Sequence, residues 1–316
     1  MAPATSPGDG GLGRRLDAAA LMMLLKISGP LDLAQTLVSG QAFRWRRHGQ
    51  GFRGVVDNVL FTVRQAPDGV AFESTPESEE EAAPRLRAYL RLDDDLPALY
   101  RRHQGDERLA AAFRAYPGLR LLRQDPWECL VCFVISIYSN IVRISGNVGE
   151  LCRRYGEPLT PALPDAFTFP SPARLAEVGE AEFRDMGLGF RARFLSRLAG
   201  EVLELGMDLS ALRGWDYPRA KAALLGLYGV GEKVADCVLA FSLDQPEAFP
   251  VDVWVRRAVQ EWYFDGRNVT DRAVRLWAGE HFGRDAAYAQ QYLFHQRRLQ
   301  GRTAKVGATP SASSRR

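Results

Sequence analysis

Residues Leu224–Val255 read LLGLYGVGEKVADCVLAFSLDQPEAFPVDVWV, and this stretch decides the fold. Apolar segments flank Gly229, Val230 and Gly231, a spacing that predicts two short helices joined by a tight hairpin. Glycine permits positive φ, and the free backbone amides at the start of the second helix bind anions. The pattern therefore predicts a phosphate-binding hairpin, with an ordinary glycine helix cap as the alternative.

One lysine and one aspartate follow the hairpin. Lys233 falls on the first turn of the second helix, where the helix dipole disfavours a positive charge. Asp252 follows Pro250 at the predicted start of the next helix, where backbone amides hold an N-cap carboxylate ionised. An amine nucleophile and a fixed anion suit glycosidic-bond cleavage through an oxocarbenium-like state. The alternatives are a solvated lysine and a plain helix cap.

Lysine is rare in this chain. Of its 41 basic residues only four are lysine, at positions 26, 221, 233 and 305. A desolvated amine can form a Schiff base, whereas a guanidinium cannot. This use of lysine at position 233, where arginine would serve for simple charge, favours a chemical role.

Charge and cysteine usage limit the function classes. Residues 1–118 hold 15 basic and 15 acidic side chains, and residues 119–300 hold 22 basic and 23 acidic. A DNA surface must therefore come from local placement of arginines. Four scattered cysteines indicate a reducing cytoplasm, and the Cys129/Cys132 pair predicts two buried thiols. No apolar run approaches the roughly eighteen residues that span a membrane.

The chain divides into four segments. Residues 1–20 and 301–316 have the composition of disordered tails, the second of them basic. Residues 21–118 predict an antiparallel sheet, with strands at 43–45, 52–56, 60–63 and 70–72, followed by helices. Residues 119–300 predict an all-helical domain, in which Asp125, Pro126 and Glu128 form a capping box before a core helix. The fold class is therefore α+β.

Seven ordered motifs resemble the 8-oxoguanine DNA glycosylase/AP lyase family of the helix-hairpin-helix DNA glycosylases. They are SGQAFRW (39–45), YLRLD (89–93), LLRQDP (121–126), GLGFRAR (187–193), GVGEKVADC (229–237), PVD (250–252) and YAQQYLF (288–294). The resemblance implies a bifunctional enzyme that flips out and excises 8-oxoguanine and then cleaves the strand by β-elimination. It implies double-stranded DNA as the partner, a monomer, no membrane, and residence with the nucleoid or in a nucleus.

The resemblance also assigns roles to individual residues. Lys233 would be the Schiff-base nucleophile and Asp252 the catalytic aspartate. The damaged base would be bound by its edges and faces, and such contacts are needed by any base that leaves the stack. The base-binding residues would be Gly40, Gln290, Phe294 and Cys237. The DNA-binding residues would be Gly229, Val230, Gly231, Arg143, Phe190, Arg191, Tyr138 and Asn140.

Some positions depart from the family pattern. Tyr138 stands where the family has an asparagine that contacts the orphaned cytosine, which predicts a relaxed preference for cytosine opposite the lesion. Trp254 replaces a histidine, which predicts different phosphate contacts. No cysteine follows Cys237, so an iron–sulfur cluster lacks ligands. No cofactor is expected beyond a monovalent cation at the hairpin.

Two other functions are weighed against this one. A glycosylase for other damaged purines, with little lyase activity, would use the aspartate and water and would commonly lack the lysine. A non-catalytic DNA-binding module would need neither Lys233 nor Asp252.

Overall fold

The structure, a computed structural model, describes residues 22–161, 163 and 165–306. The predicted tail at residues 1–20 lies outside the described residues, as do residues 307–316. The predicted C-terminal tail begins within the last helix, which continues to Val306.

Five strands near the N-terminus form one antiparallel sheet in the order β1-β5-β4-β3-β2. Asp57 and Asn58 both have positive φ and form a two-residue hairpin turn, which suits the twist of paired strands. The strands are β1 (Met23–Lys26), β2 (Arg46–His48), β3 (Gly51–Val56), β4 (Val59–Ala66) and β5 (Gly69–Thr75). The predicted strand at 43–45 is wrong, since that segment is a loop whose Phe43 and Trp45 are buried.

The rest of the described chain is mostly helical, which confirms the α+β fold class. The first helices are α1 (Leu33–Val38), α2 (Glu79–Tyr89), α3 (Leu96–Arg102) and α4 (Glu107–Ala115). The next are α5 (Pro126–Ile135), α6 (Ile141–Tyr155), α7 (Pro172–Ala176), α8 (Glu180–Phe183) and α9 (Arg191–Glu204), with a π-helical turn at Arg184–Leu188. The last are α10 (Tyr217–Leu225), α11 (Glu232–Phe241), α12 (Val253–Tyr263), α13 (Asp271–Phe282) and α14 (Ala286–Val306).

Helix α5 lies at the centre of the helical core. All of its residues except Glu128 are buried, as its uniform hydrophobicity predicts. Asp125 caps it by accepting a hydrogen bond from the Glu128 amide at 2.8 Å. The predicted capping box is wrong in its second half, because the Glu128 carboxylate pairs with Arg44 at 2.8 Å instead. That ion pair attaches the loop at 39–45 to the start of α5.

The hydrophobic core has two large helical parts in addition to the sheet core. One part is built on α5, α6, α9 and α11. The other joins α12, α13 and α14 to α3 and α4, although the latter two belong to the segment predicted as the N-terminal domain. The hydroxyl groups of Tyr292 in α14 and Tyr100 in α3 form a hydrogen bond of 2.8 Å across this boundary. The C-terminal helices are therefore held against both halves of the chain.

The Cys129/Cys132 pair agrees with the expectation of two buried thiols. Cys129 and Cys132 are buried, and burial raises the pKa of both thiols well above the usual value. Among the described residues no helix is long and apolar enough to cross a membrane.

Candidate active site

The predicted hairpin joins α10 to α11. Gly229 has φ of +81°, and a Cβ there would lie 2.8 Å from Phe194, so both the backbone and the packing require glycine. Gly231 is the N-cap of α11 and has no side chain to bond the first-turn amides. The side chain of Val230 is buried, which leaves backbone groups to face a ligand at this residue. The geometry is that of an anion site at a helix N-terminus.

A buried ion pair fixes α11 against α10. Asp236 is fully buried and lies 2.9 Å from the Lys221 ammonium, and Tyr217 donates to the same carboxylate at 2.8 Å. Lys221 also bonds Glu232, the first residue of α11, at 2.7 Å. These bonds set the direction of the first turn of α11, which carries Lys233.

A cavity of about 340 Å³ opens beside α11. It brings together segments that are far apart in the sequence: the loop at 39–43, the end of α5, the starts of α6 and α12, and one face of α14. Both predicted catalytic residues, all four predicted base-binding residues and one predicted DNA-binding residue line it. They are Lys233, Asp252, Gly40, Cys237, Gln290, Phe294 and Asn140.

Lys233 is half-buried, and one serine holds its side-chain nitrogen Nζ. Its Nζ donates to Ser136 Oγ at 2.9 Å and lies 4.8 Å from the centre of the Phe133 ring. Ser136 donates its own proton to the Phe133 carbonyl at 2.6 Å, so its oxygen is available to accept from the lysine. Sequence reasoning gave Ser136 no role, because nothing links a serine to a lysine 97 positions later.

Cys237 lies one helical turn after Lys233, on the same face of α11. Burial raises the pKa of its thiol to about 12, although the nearby Lys233 acts in the opposite direction. At neutral pH the group is therefore an uncharged thiol. An uncharged sulfur and the Phe294 ring, both in the cavity wall, suit the faces of a planar base.

Asp252 is the N-cap of α12, as predicted. One carboxylate oxygen accepts from the amides of Trp254 at 2.9 Å and Val255 at 2.8 Å. Burial nevertheless raises the pKa of Asp252, and this effect exceeds the opposing effects of the two amides and of Lys233. The two amides that cap α12 therefore offset only part of the desolvation, which is the larger effect on this carboxyl.

Gly40 and Gln290 place backbone and amide groups in the cavity wall. Gly40 has φ of +88°, and a Cβ there would lie 2.7 Å from Ile141 Cδ1. The fully buried Gln41 anchors this loop through bonds of 2.8 Å to Arg120 O and Leu122 N. Gln290 is buried, and its side-chain oxygen has no hydrogen-bond partner in the described part of the chain. A buried acceptor without a hydrogen-bond partner costs free energy, so this oxygen favours a ligand that offers a hydrogen-bond donor.

The other predicted DNA-binding residues lie outside the cavity wall. Asn140, which lines the cavity, also caps α6 by accepting a 3.1 Å bond from the Arg143 amide. Tyr138 and Phe190 are exposed, with ring centres 6.2 Å apart. Arg191 is buried, and both it and Arg143 donate to backbone carbonyls. Trp254 lines the cavity and leaves room only for glycine at position 301, where a Cβ would lie 2.7 Å from its ring.

Comparison with known proteins identifies the family to which the chain belongs. Residues 23–130 match the 8-oxoguanine DNA glycosylase N-terminal domain, and residues 131–280 match the HhH-GPD superfamily of base excision DNA repair proteins. A probable N-glycosylase/DNA lyase of Methanothermobacter thermautotrophicus is 31% identical, over 86% of this chain and 95% of the relative. The chain belongs to the 8-oxoguanine DNA glycosylase family.

Further relatives extend across both halves of the chain. The N-glycosylase/DNA lyase OGG1 of Arabidopsis thaliana is 37% identical, over 84% of this chain and 76% of the relative. The crystal structure of Clostridium acetobutylicum 8-oxoguanine glycosylase/lyase, bound to DNA with cytosine opposite 8-oxoguanine, matches with a TM-score of 0.81 and 27% identity. That match covers 88% of this chain and 98% of the Clostridium chain. The family's sheet domain and helical domain are thus both present here.

Proposed function

We propose that the protein is a bifunctional DNA glycosylase/AP lyase that excises 8-oxoguanine from double-stranded DNA. The observation that carries the proposal is the meeting of Lys233 and Asp252 in one cavity with the orphan oxygen of Gln290. The cavity is large enough for an extrahelical base, since it has the size of a small-molecule pocket. Its nucleophile, anion and base-recognition group are therefore in a common site.

In the proposed reaction the uncharged Lys233 amine attacks C1′ of the damaged nucleotide. A bond forms between Nζ and C1′, the bond from C1′ to the base breaks, and the base leaves as a neutral purine after taking up a proton. Asp252 stabilises the positive charge that develops on the sugar. The sugar ring then opens: the C1′–O4′ bond breaks, O4′ takes up a proton, and C1′ and Nζ become doubly bonded as a Schiff base. This Schiff base acidifies the adjacent C2′–H, and β-elimination removes that proton and breaks the C3′–O3′ bond to the 3′ phosphate.

Base recognition follows from the polar groups in the cavity wall. The Watson–Crick edge of a guanine-type base presents N–H donors, which match the orphan acceptor oxygen of Gln290. The N7–H of 8-oxoguanine is a donor that guanine lacks. No hydrogen bond within the described residues reaches the Gly40 carbonyl, so this oxygen remains available to accept that proton. Recognition of the oxidised base would rest on this one additional bond.

Two features weigh against the alternative functions. A glycosylase that activates water does not need a lysine, yet Lys233 is held in the cavity by Ser136. A DNA-binding module does not need a buried carboxylate whose desolvation raises its pKa, as it does at Asp252. The lysine held in the cavity favours a covalent mechanism, and the buried carboxylate favours catalysis over binding alone.

The proposed mechanism requires no resident cofactor, because Lys233 and Asp252 supply the nucleophile and the anion. The monovalent cation at the hairpin stays a prediction, and so does a monomeric state. The substrate places the protein where the cell keeps its DNA, the nucleoid or the nucleus.

The proposal is tested by single-turnover assays on a duplex with 8-oxoguanine opposite cytosine, labelled on the lesion strand. We expect base release and strand cleavage without alkali. A matched duplex with undamaged guanine should remain intact. Release of alkylated purines but not of 8-oxoguanine would contradict the proposal in favour of the first alternative, and binding without any release would favour the second.

Replacement of Ser136 by alanine should slow the covalent step, because the lysine loses its positioning bond. We expect a single-turnover rate about tenfold lower, because that factor corresponds to the free energy of one lost hydrogen bond, and an unchanged affinity for DNA. Ser136→Thr keeps the hydroxyl and should restore most of the rate. Equal loss in both variants, or weaker DNA binding without a slower rate, would assign Ser136 a structural role only.

A further inference from the structure

Two aromatic rings lie exposed beside the mouth of the cavity. Tyr138 is 92% exposed and Phe190 is 46% exposed, and their ring centres lie 6.2 Å apart with the planes inclined at 66°. Ser136 and Ser139, on either side of Tyr138, both line the cavity. Large aromatic surface that is left in solvent beside a binding site is typical of a surface that contacts a partner.

The backbone at Tyr138 is held in an unfavourable conformation. Its φ is +47°, in the left-handed region that a tyrosine adopts only at an energetic cost. Such residues persist where the surroundings fix them, and they cluster at functional sites. The side chain gains no buried contact in return, so folding alone does not account for this conformation.

Arg191 is the residue that fixes this conformation. It is only 5% exposed, and its guanidinium donates to the Tyr138 carbonyl at 2.7 Å, to the Leu188 carbonyl at 3.1 Å, and to the Ile137 carbonyl. Its Cζ also lies 4.8 Å from the centre of the Phe190 ring. One buried side chain therefore connects the loop that carries Tyr138 to the turn that carries Phe190.

Arg143, in the first turn of α6 directly after the Tyr138 loop, makes a second connection to the turn that carries Phe190. It donates to the Gly187 carbonyl at 2.8 Å, and Asn147 of the same helix donates to the Met186 carbonyl at 2.9 Å. Arg143 and Arg191, both predicted as DNA-binding residues, are thus bonded to backbone oxygens. In this arrangement the two arginines position the rings of Tyr138 and Phe190, which face outward.

We propose that Tyr138 and Phe190 act as a two-ring wedge in which Tyr138 stacks on the base left behind in the opposite strand. The identity of the lesion in this inference rests on the proposed function, whereas the wedge itself does not depend on it. An aromatic face stacks on every base, whereas an amide at this position would select by hydrogen bonds. The enzyme should therefore accept any of the four bases opposite 8-oxoguanine.

Excision assays test the specificity part of the proposal. Single-turnover rates are measured on four duplexes with cytosine, adenine, guanine or thymine opposite 8-oxoguanine. We expect the wild-type rates to agree within about tenfold, which corresponds to the loss of one good base-reading contact. Tyr138→Phe should behave as wild type, and Tyr138→Asn should gain a preference for cytosine. A wild-type preference for cytosine of about a thousandfold, roughly 4 kcal/mol, would overturn the proposal.

Fluorescence tests the stacking directly and does not depend on excision. The duplex carries a tetrahydrofuran abasic site opposite 2-aminopurine, whose emission is quenched when an aromatic ring stacks on it. Wild type and Tyr138→Phe should quench it, and Tyr138→Ala should leave it bright and bind about tenfold or more weakly. Leu205→Ala is the control, because Leu205 is 64% exposed at the opposite end of α9 from Phe190.

The two assays separate failure of the wedge from failure of the proposed function. Quenching by wild type but not by Tyr138→Ala supports the wedge even if 8-oxoguanine is not excised. Excision of 8-oxoguanine with equal quenching by wild type and Tyr138→Ala overturns the wedge and leaves the proposed function intact. Because Tyr138 is exposed, loss of folding does not complicate the alanine variant.

Discussion

Lys233→Gln is expected to abolish excision of 8-oxoguanine while leaving binding to the damaged duplex nearly unchanged. Glutamine has a similar length and can still donate to Ser136 Oγ, so the cavity wall is preserved. It has no lone pair able to attack C1′, and loss of a nucleophile lowers rates by about ten-thousandfold or more. The measurement is single-turnover release of the base, together with affinity for the same duplex.

The matched control is Lys26→Gln, which makes the same substitution at an exposed lysine in β1. It should leave both excision and affinity at wild-type levels. Excision by Lys233→Gln at more than about a hundredth of the wild-type rate would mean that the lysine is not the nucleophile, since a positioning residue costs less. A large loss of affinity would instead make Lys233 a DNA-binding residue.

Asp252→Asn should separate activity from stability. Asparagine keeps an oxygen for the amides of Trp254 and Val255, so α12 remains capped. It carries no charge to stabilise the sugar, and we expect excision about a hundredfold to a thousandfold slower. The measurements are the single-turnover rate at neutral pH and the melting temperature of each protein.

The sign of the stability change follows from the raised pKa of Asp252. Burial makes ionisation of this carboxyl less favourable in the folded state than in the unfolded state. Its contribution to stability is therefore fully present below the unfolded pKa and is lost as pH rises through the folded pKa. At neutral pH the uncharged asparagine should raise the melting temperature, and this gain should vanish in acid. A lower melting temperature at neutral pH would contradict the assignment.

The same pKa sets the acid limit of activity. Because catalysis requires the ionised carboxylate, the wild-type rate should fall with decreasing pH at a higher pH than an exposed aspartate would give. This decrease in rate at low pH should be absent from the residual activity of Asp252→Asn.

The central part of the site could be predicted from sequence because its determinants are local. The turn at Gly229 needs positive φ, and the positions of Lys233 and Asp252 follow from where helices begin. Capping at Asp125 was predictable for the same reason. Each of these features depends on residues within a few positions of one another.

Features that depend on distant partners were not predictable. Glu128 was expected to close a capping box, but it pairs with Arg44, which is 84 positions away. Ser136 accepts a hydrogen bond from Lys233, which belongs to another helix. Arg191 is buried because its guanidinium bonds a loop some fifty residues earlier in the chain. Phe43 and Trp45 are residue types that are common in strands, yet both lie in a loop that buries their side chains. In each case tertiary packing decided what the local pattern left open.

The most direct test of the account is to trap the covalent intermediate and locate it. Borohydride reduces a Schiff base to a stable secondary amine, which also blocks tryptic cleavage at the modified lysine. The account predicts that DNA is attached to the peptide 222–256, because Lys233 is the sole internal cleavage site between Lys221 and Arg256. Attachment at another peptide, or an adduct that persists in Lys233→Gln, would contradict it.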